Sequence, residues 1–198
     1  MSPRKILEYG GYISGALLVL FGAVALYMGV DGRSTVQDSL KQEQIFFGSA
    51  DDPAVAEHAK QWADEQVASG DQARAFALVM REHTLESTKG LTYAQMGRYV
   101  SAANPDDPKG TSDEAAALKE NGQPVANRAR DIWVTETALT TALNVSYMAE
   151  QLSIFGIVVG IALLLSGIGF ILLAFLAVRR WAEVTETKAI SPNVAPAS

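Results

Sequence analysis

The residues best suited to chemistry are two histidines with carboxylates beside them: His58 next to Glu57, and His83 between Glu82 and Glu86. Two histidines and a carboxylate can hold iron(II) with positions left open for reaction. Here the histidines fall on two different predicted helices. Lone histidines on glutamate-rich helices are ordinarily solvated surface groups, and that is the reading adopted; no metal and no cofactor is expected. The chain has no cysteine, which excludes zinc–thiolate, iron–sulfur and thiol-nucleophile chemistries. Its serines lack a Gly-x-Ser-x-Gly elbow, and no glycine-rich phosphate loop is present. Asn144-Val145-Ser146 matches a glycosylation acceptor but lies mid-helix. No catalytic residue emerges, and a non-enzymatic chain is expected.

A second polar cluster is Trp133 to Glu150, WVTETALTTALNVSYMAE, crowded with small polar side chains that a helix does not favour. Thr137, Thr141, Asn144 and Met148 share one helical face; Ile132, Leu139, Leu143 and Tyr147 share another. The first face suits close helix contact with hydrogen bonds across it, or the lining of a wet vestibule. Small-residue contact is the commoner use.

The elements that position these residues are dominated by two apolar runs. Ser153 to Val178 carries no charge and no proline, and the pair Arg179-Arg180 closes it. A hydrocarbon core of about 30 Å needs roughly 20 apolar residues at about 1.5 Å each, so this run spans. Tyr9 to Val30 is equally uncharged and of spanning length, with Arg4 and Lys5 before it and Asp31 after it. A cleaved signal with Ala23-Val24-Ala25 as its site is the rival reading, but the apolar run continues to Val30. Basic residues stay cytoplasmic. Arg4, Lys5, Arg179 and Arg180 therefore place both termini inside a plasma membrane and residues 31–151 outside.

The predicted divisions are a cytoplasmic start at 1–8, a first membrane helix at 9–30, a helical extracytoplasmic domain at 31–151, a second membrane helix at 152–178, and a cytoplasmic, disordered tail at 179–198. The expected fold is an all-α membrane protein whose last outer helix runs directly into the second span. The outer segment holds 19 acidic and 11 basic residues, net −8, which makes it soluble and excludes nucleic acid as a partner. Its helices are expected over 36–47, 53–67 with an Asp52 cap, 72–87 with an Asp71 cap, from Thr92 to near Ser101, and 115–119 after a capping box at Thr111. Asn121-Gly122 is read as stopping that last turn, and 127–151 as one helix.

Both spans carry small residues at heptad spacing. Gly15, Gly22 and Gly29 recur every seven residues, with Gly11 four before Gly15; Ser153, Gly160, Gly167 and Ala174 do the same, with Gly156 four before Gly160. Such stripes let helix backbones settle together where lipid offers no hydrophobic drive. The partner is left open between the other span and another copy. Neither span core contains an ionisable residue, which argues against a proton relay or a charge-coupled transporter. Three functional classes follow, in this order: an assembly or interaction protein, homo-oligomeric or bound to another membrane protein; as the alternative, a homo-oligomeric channel or pore; and last, a membrane-tethered enzyme.

GRSTV (Gly32 to Val36), GLTYAQMGRYV (Gly90 to Val100) and the block from Gln123 to Phe170 resemble a family of small two-span actinobacterial membrane proteins. Members of that family are often labelled aromatic ring-opening dioxygenases. The label implies a histidine-based iron site, which the residues above do not supply. The resemblance implies a bacterial plasma membrane and no particular activity.

Overall fold

The structure, a computed structural model, describes residues 3–190. Helix accounts for 69 % of it and strand for 6 %, so the all-α class holds. The order is α1 (Pro3–Gln42), α2 (Pro53–His58), α3 (Gly70–Ser87), β1 (Lys119–Glu120), β2 (Gln123–Pro124) and α4 (Arg128–Ile190). The chain divides into two compact units, residues 3–31 with 152–190, and Gly32–Gln151.

The first unit is a pair of helical stretches from α1 and α4. Each helix is long and apolar enough to cross a membrane, and only 17 % of each apolar window is buried. α4 continues to Ile190, so the tail expected to be disordered over 179–198 is helical up to Ile190; 191–198 lie outside the described residues. The side chains of Arg4 and Trp181 also lie outside them. Lys5, Arg179 and Arg180 are exposed.

The second unit has a core of Leu40, Phe47, Val55, Ala59, Val67, Leu143 and the alanine-rich side of α3. It is less helical than the sequence predicts, and each departure has a local cause. No break occurs at Asp31-Gly32-Arg33-Ser34, because one mid-helix glycine costs only about 1 kcal/mol. α1 instead stops at Gln42, and Gln44 turns the chain at a φ of 51°. Residues 45–47 then run extended against 65–67, with Phe47 N–H donating to Glu65 O at 2.9 Å and Val67 N–H to Ile45 O at 2.8 Å. This pairing buries Phe47 and Val67 and ends the expected 53–67 helix at His58. Asp52 caps α2 as expected, accepting from Ala54 N–H at 2.9 Å, with Pro53 in the first turn.

α3 is capped by Ser69 rather than Asp71. The Ser69 hydroxyl accepts from Gln72 N–H at 3.3 Å, and Gln72 reaches back to Ala68 N–H at 2.8 Å. Gly90, at a φ of 78°, ends the following turn.

The Thr92–Gln95 capping box forms but opens only one 3₁₀ turn, Tyr93–Gln95. Residues 97–101 leave it extended and pair with three other segments, at Thr111, Ala117 and Ala126. Gly97 crosses Thr111 so closely that a Cβ there would strike the Thr111 backbone. The second capping box does not make a helix either. Thr111 Oγ1 accepts from Asp113 N–H at 3.1 Å and Asp113 from Ala115 N–H at 2.9 Å, side-chain turns that compete with helix. Asn121-Gly122 is a hairpin turn, with φ values of 53° and 79°, that pairs Lys119 with Pro124 and Glu120 with Gln123. Asn127, buried, fastens this region to α4. Its amide donates to Pro108 O at 2.8 Å and Gly97 O at 3.0 Å, and its oxygen accepts from Ala129 N–H.

Candidate functional site

Two arrangements stand out, one in each unit. In the first, the two glycine stripes face each other in antiparallel register: Gly15 with Gly167, Gly22 with Gly160, Gly29 with Ser153. A Cβ built on Gly15 would lie 2.7 Å from Gly167 O, and one on Gly167 equally close to Gly15 O. Gly22 and Gly160 repeat the exchange at 2.8 Å, and Gly29 meets Ser153 O at 2.7 Å. Each carbonyl thus rests on the opposing Cα, a close approach that only glycine permits. Gly11 opposes Ala174, and Gly156 packs more loosely, since a Cβ built on it would lie 3.6 Å from the Gly29 Cα. Gly10 and Gly169, off the stripes, meet nothing within 4 Å.

In the second unit, the 128–151 part of α4 buries one face. Trp133, Glu136, Leu143 and Glu150 are buried, and Tyr147 is half-buried. Glu150 lies at the N-terminus of α3. It accepts from the Gly70 backbone N–H, from Arg33 Nε at 3.0 Å and from Gln37 Nε2 at 2.7 Å. Burial pushes its carboxyl up, but the Gly70 amide, Arg33 and Gln37 together hold it below the usual glutamate value. The approach is close enough that Gly70 has no room for a side chain: a Cβ would lie 2.9 Å from the Tyr147 Cα.

Glu136 takes Arg81 Nη1 at 3.1 Å on one oxygen; its other oxygen is buried without a hydrogen-bond partner. Arg81 also lies 4.2 Å over the Trp133 ring, and Arg74 lies 4.9 Å over Tyr147. These buried carboxylates were not singled out by sequence reasoning. The signal was present: Glu136 and Glu150 share a helical face with Trp133, Leu143 and Tyr147, and a charge on such a face demands a partner.

Thr137, Thr141 and Asn144 lie on the opposite, exposed side of α4. Thr137 Oγ1 donates to the Glu136 carboxylate at 3.3 Å, and the other two donors turn back on the helix backbone. Thr141 Oγ1 donates to Thr137 O at 2.6 Å and Asn144 Nδ2 to Thr140 O at 2.8 Å.

His83 Nε2 lies 2.9 Å from Asp52, the α2 cap, instead of its neighbouring glutamates. That hydrogen bond, and behind it the cap amides, hold the Asp52 carboxyl below the usual aspartate range despite some desolvation. Among the described residues, no three His, Asp or Glu side chains form a group able to hold a metal ion. No family model, no curated protein and no solved structure matches this chain.

Proposed function

We propose that the chain is an integral plasma-membrane protein with a non-enzymatic assembly role, in which a two-helix hairpin carries a folded extracytoplasmic domain. One observation carries the membrane reading. The two apolar stretches leave Leu17, Phe21, Leu165, Leu172 and Leu173 at least half exposed while burying Gly15, Gly22, Gly29, Gly160 and Gly167. A helix of a soluble core does the reverse, hiding its large apolar side chains. A surface of this kind is stable only where the surrounding solvent is lipid.

Orientation rests on Arg4, Lys5, Arg179 and Arg180, all beyond the same ends of the two spans, which puts both termini in the cytoplasm. The resemblance to two-span actinobacterial proteins points the same way. The alternative, a homo-oligomeric pore lined by the glycine stripes, has less support. Those stripes lie against each other, so they are not free to line a path.

The test is extraction and labelling. The protein should stay with membranes through alkaline carbonate. A cysteine at Asp106 should react with an impermeant thiol reagent in intact cells, whereas one at Ser198 should not. Release by carbonate, or the reverse labelling pattern, would overturn the proposal. Mass spectrometry should find the residues before Leu26 still attached; a mature chain beginning at Leu26 would remove the first span.

A further inference from the structure

We infer that the cleft between the cytoplasmic ends of α1 and α4 holds an acyl chain of one anionic phospholipid, with the headgroup at Arg4 and Arg180. The inference rests on the membrane reading, which makes lipid the medium around this end of the helix pair. The cleft has a volume of about 600 Å3, within the range of about 300–1,000 Å3 typical of ligand pockets. It lies at the end of the glycine seam, where the opposed pair Gly11 and Ala174 lines it together with Leu7, Gly10, Phe170 and Leu173. Glu8 and Ser14 are its only polar lining residues. On α1 the lining runs from Ile6 to Ser14, about 12 Å along the axis, against about 15 Å for one leaflet of hydrocarbon. That depth suits an acyl chain. A helix about 10 Å across fills roughly 400 Å3 per turn, so the cleft would take only about a turn and a half of one.

Charge selects the class of lipid. Arg4, Lys5, Arg179 and Arg180 stand beyond this end of the pair, and their helical positions divide them. Arg180 follows Ala177 by three residues and Leu173 by seven; Arg4 precedes Leu7 by three and Gly11 by seven. Both therefore fall on the cleft side of their helices. They are also level, six and seven residues beyond Ala174 and Gly11, or about 9–10 Å. Lys5 and Arg179 stand two residues from Leu7 and Ala177, which turns them to the far sides. The Arg179 guanidinium accordingly lies 5.8 Å over the ring of Phe175, which is not part of the cleft. Glu8, half-buried in the wall, is one opposing charge against two. A basic pocket between membrane helices on the cytoplasmic side suits an acidic lipid headgroup, and each Lys or Arg there contributes about fivefold to binding.

The test is native mass spectrometry of the full chain in detergent, titrated with phosphatidylglycerol or with phosphatidylcholine of the same acyl chains. One phosphatidylglycerol should bind, about tenfold or more tighter than phosphatidylcholine. Arg4→Gln combined with Arg180→Gln should weaken that binding about 25-fold. Lys5→Gln combined with Arg179→Gln removes the same charge from the far sides and should weaken it less than about fivefold. Gly10→Leu puts a side chain into the cleft, where a Cβ meets nothing within 4 Å, and should abolish retention of the lipid. Gly169→Leu, equally unobstructed and outside the cleft, should leave it intact. Equal losses in the two double variants would mean diffuse attraction to basic residues and overturn the inference. Undiminished binding in Gly10→Leu would place the lipid elsewhere, and a dimer that Gly10→Leu dissociates would give the cleft to a second copy; each overturns it as well. All three results leave the membrane reading standing, whereas release of the unaltered chain by alkaline carbonate removes the membrane reading itself.

Discussion

Adding one methyl group to Gly160 is the sharpest test of the helix pair. A Cβ there would lie 2.6 Å from Leu26 N, 2.8 Å from Gly22 O and 3.0 Å from the Leu26 Cα. All three are backbone atoms, so no side chain can rotate away. Ordinary contact begins at 3.4 Å, which leaves a shortfall of 0.8 Å at the nearest atom. The helices must part by a comparable amount over at least a turn. A gap of 0.5–1 Å forfeits about a quarter to a half of each dispersion contact along the seam, and overpacking of this kind costs about 1–3 kcal/mol.

Gly167→Ala should behave alike, since its Cβ would meet Gly15 O at 2.7 Å and Val19 N at 2.8 Å. Gly169→Ala, on the same helix with nothing within 4 Å, is the control and should be neutral or slightly stabilising through helix propensity. The assay is reversible unfolding in mixed detergent, following near-ultraviolet dichroism or the melting temperature. If Gly160→Ala, Gly167→Ala and Gly169→Ala unfold together, the stripes are composition only and the helix-pair argument falls.

Three further outcomes follow from the outer domain. Glu150 has a folded-state pKa below its ordinary 4.5, so the stability it contributes is complete above that pH and is lost as pH falls through the lower folded value. The melting temperature should therefore drop in acid with a slope that Glu150→Gln reduces; an unchanged slope refutes the assignment. Gly122→Ala should cost about 1–2 kcal/mol in denaturant unfolding, because its φ of 79° suits glycine alone, whereas exposed Gly48→Ala should be nearly silent. Phe47→Ala should cost about 3–5 kcal/mol by the same measurement, since its buried ring stacks on Trp62 at 6.1 Å and meets Phe76 edge-on at 5.4 Å.

The apolar helices were the most legible part, because uncharged length and heptad glycines are local patterns. The stripes even fixed the antiparallel register once the partner was known: 15 faces 167, 22 faces 160 and 29 faces 153. What the pattern lacked was the partner's identity, which no single helix encodes. Between 88 and 126 the reading failed for a physical reason. Capping boxes at Thr92 and Thr111 satisfy only the first turn, and extended pairing through Tyr99 and Val100 outweighed the helices they announce. Asn121-Gly122 was read as a helix stop although the same dipeptide is a strong hairpin signal. The Thr face of α4 was visible in sequence. The inward side was signalled too, by Glu136 and Glu150 sharing a face with Trp133, Leu143 and Tyr147; which partners those carboxylates meet was not, because that is settled by α3 and the start of the domain.

Those two carboxylates pin α3 against α4 at separated points. Glu150 holds the first residue of α3, Gly70, and Glu136 holds Arg81. The anchors are about 21 Å apart along α4 and about 16 Å along α3, with the long arginine side chain spanning the difference. Sliding one helix by a turn, about 5.4 Å, would break both contacts together. The exposures differ sharply within the Arg81–Glu136 pair, at 44 % and 3 % for the side chains. Removing Glu136 frees an arginine that already reaches water. Removing Arg81 strands a carboxylate with one oxygen unpartnered and the other left to Thr137 Oγ1 at 3.3 Å. Arg81→Met should therefore cost about 3 kcal/mol or more, the scale for an uncompensated buried charge, and the loss of the Trp133 contact adds to it. Glu136→Leu should cost far less, and the double variant should recover most of the Arg81→Met loss. Equal costs for the two single variants in denaturant unfolding would show that the pair acts as an ordinary surface ion pair, and the pinning argument would fail.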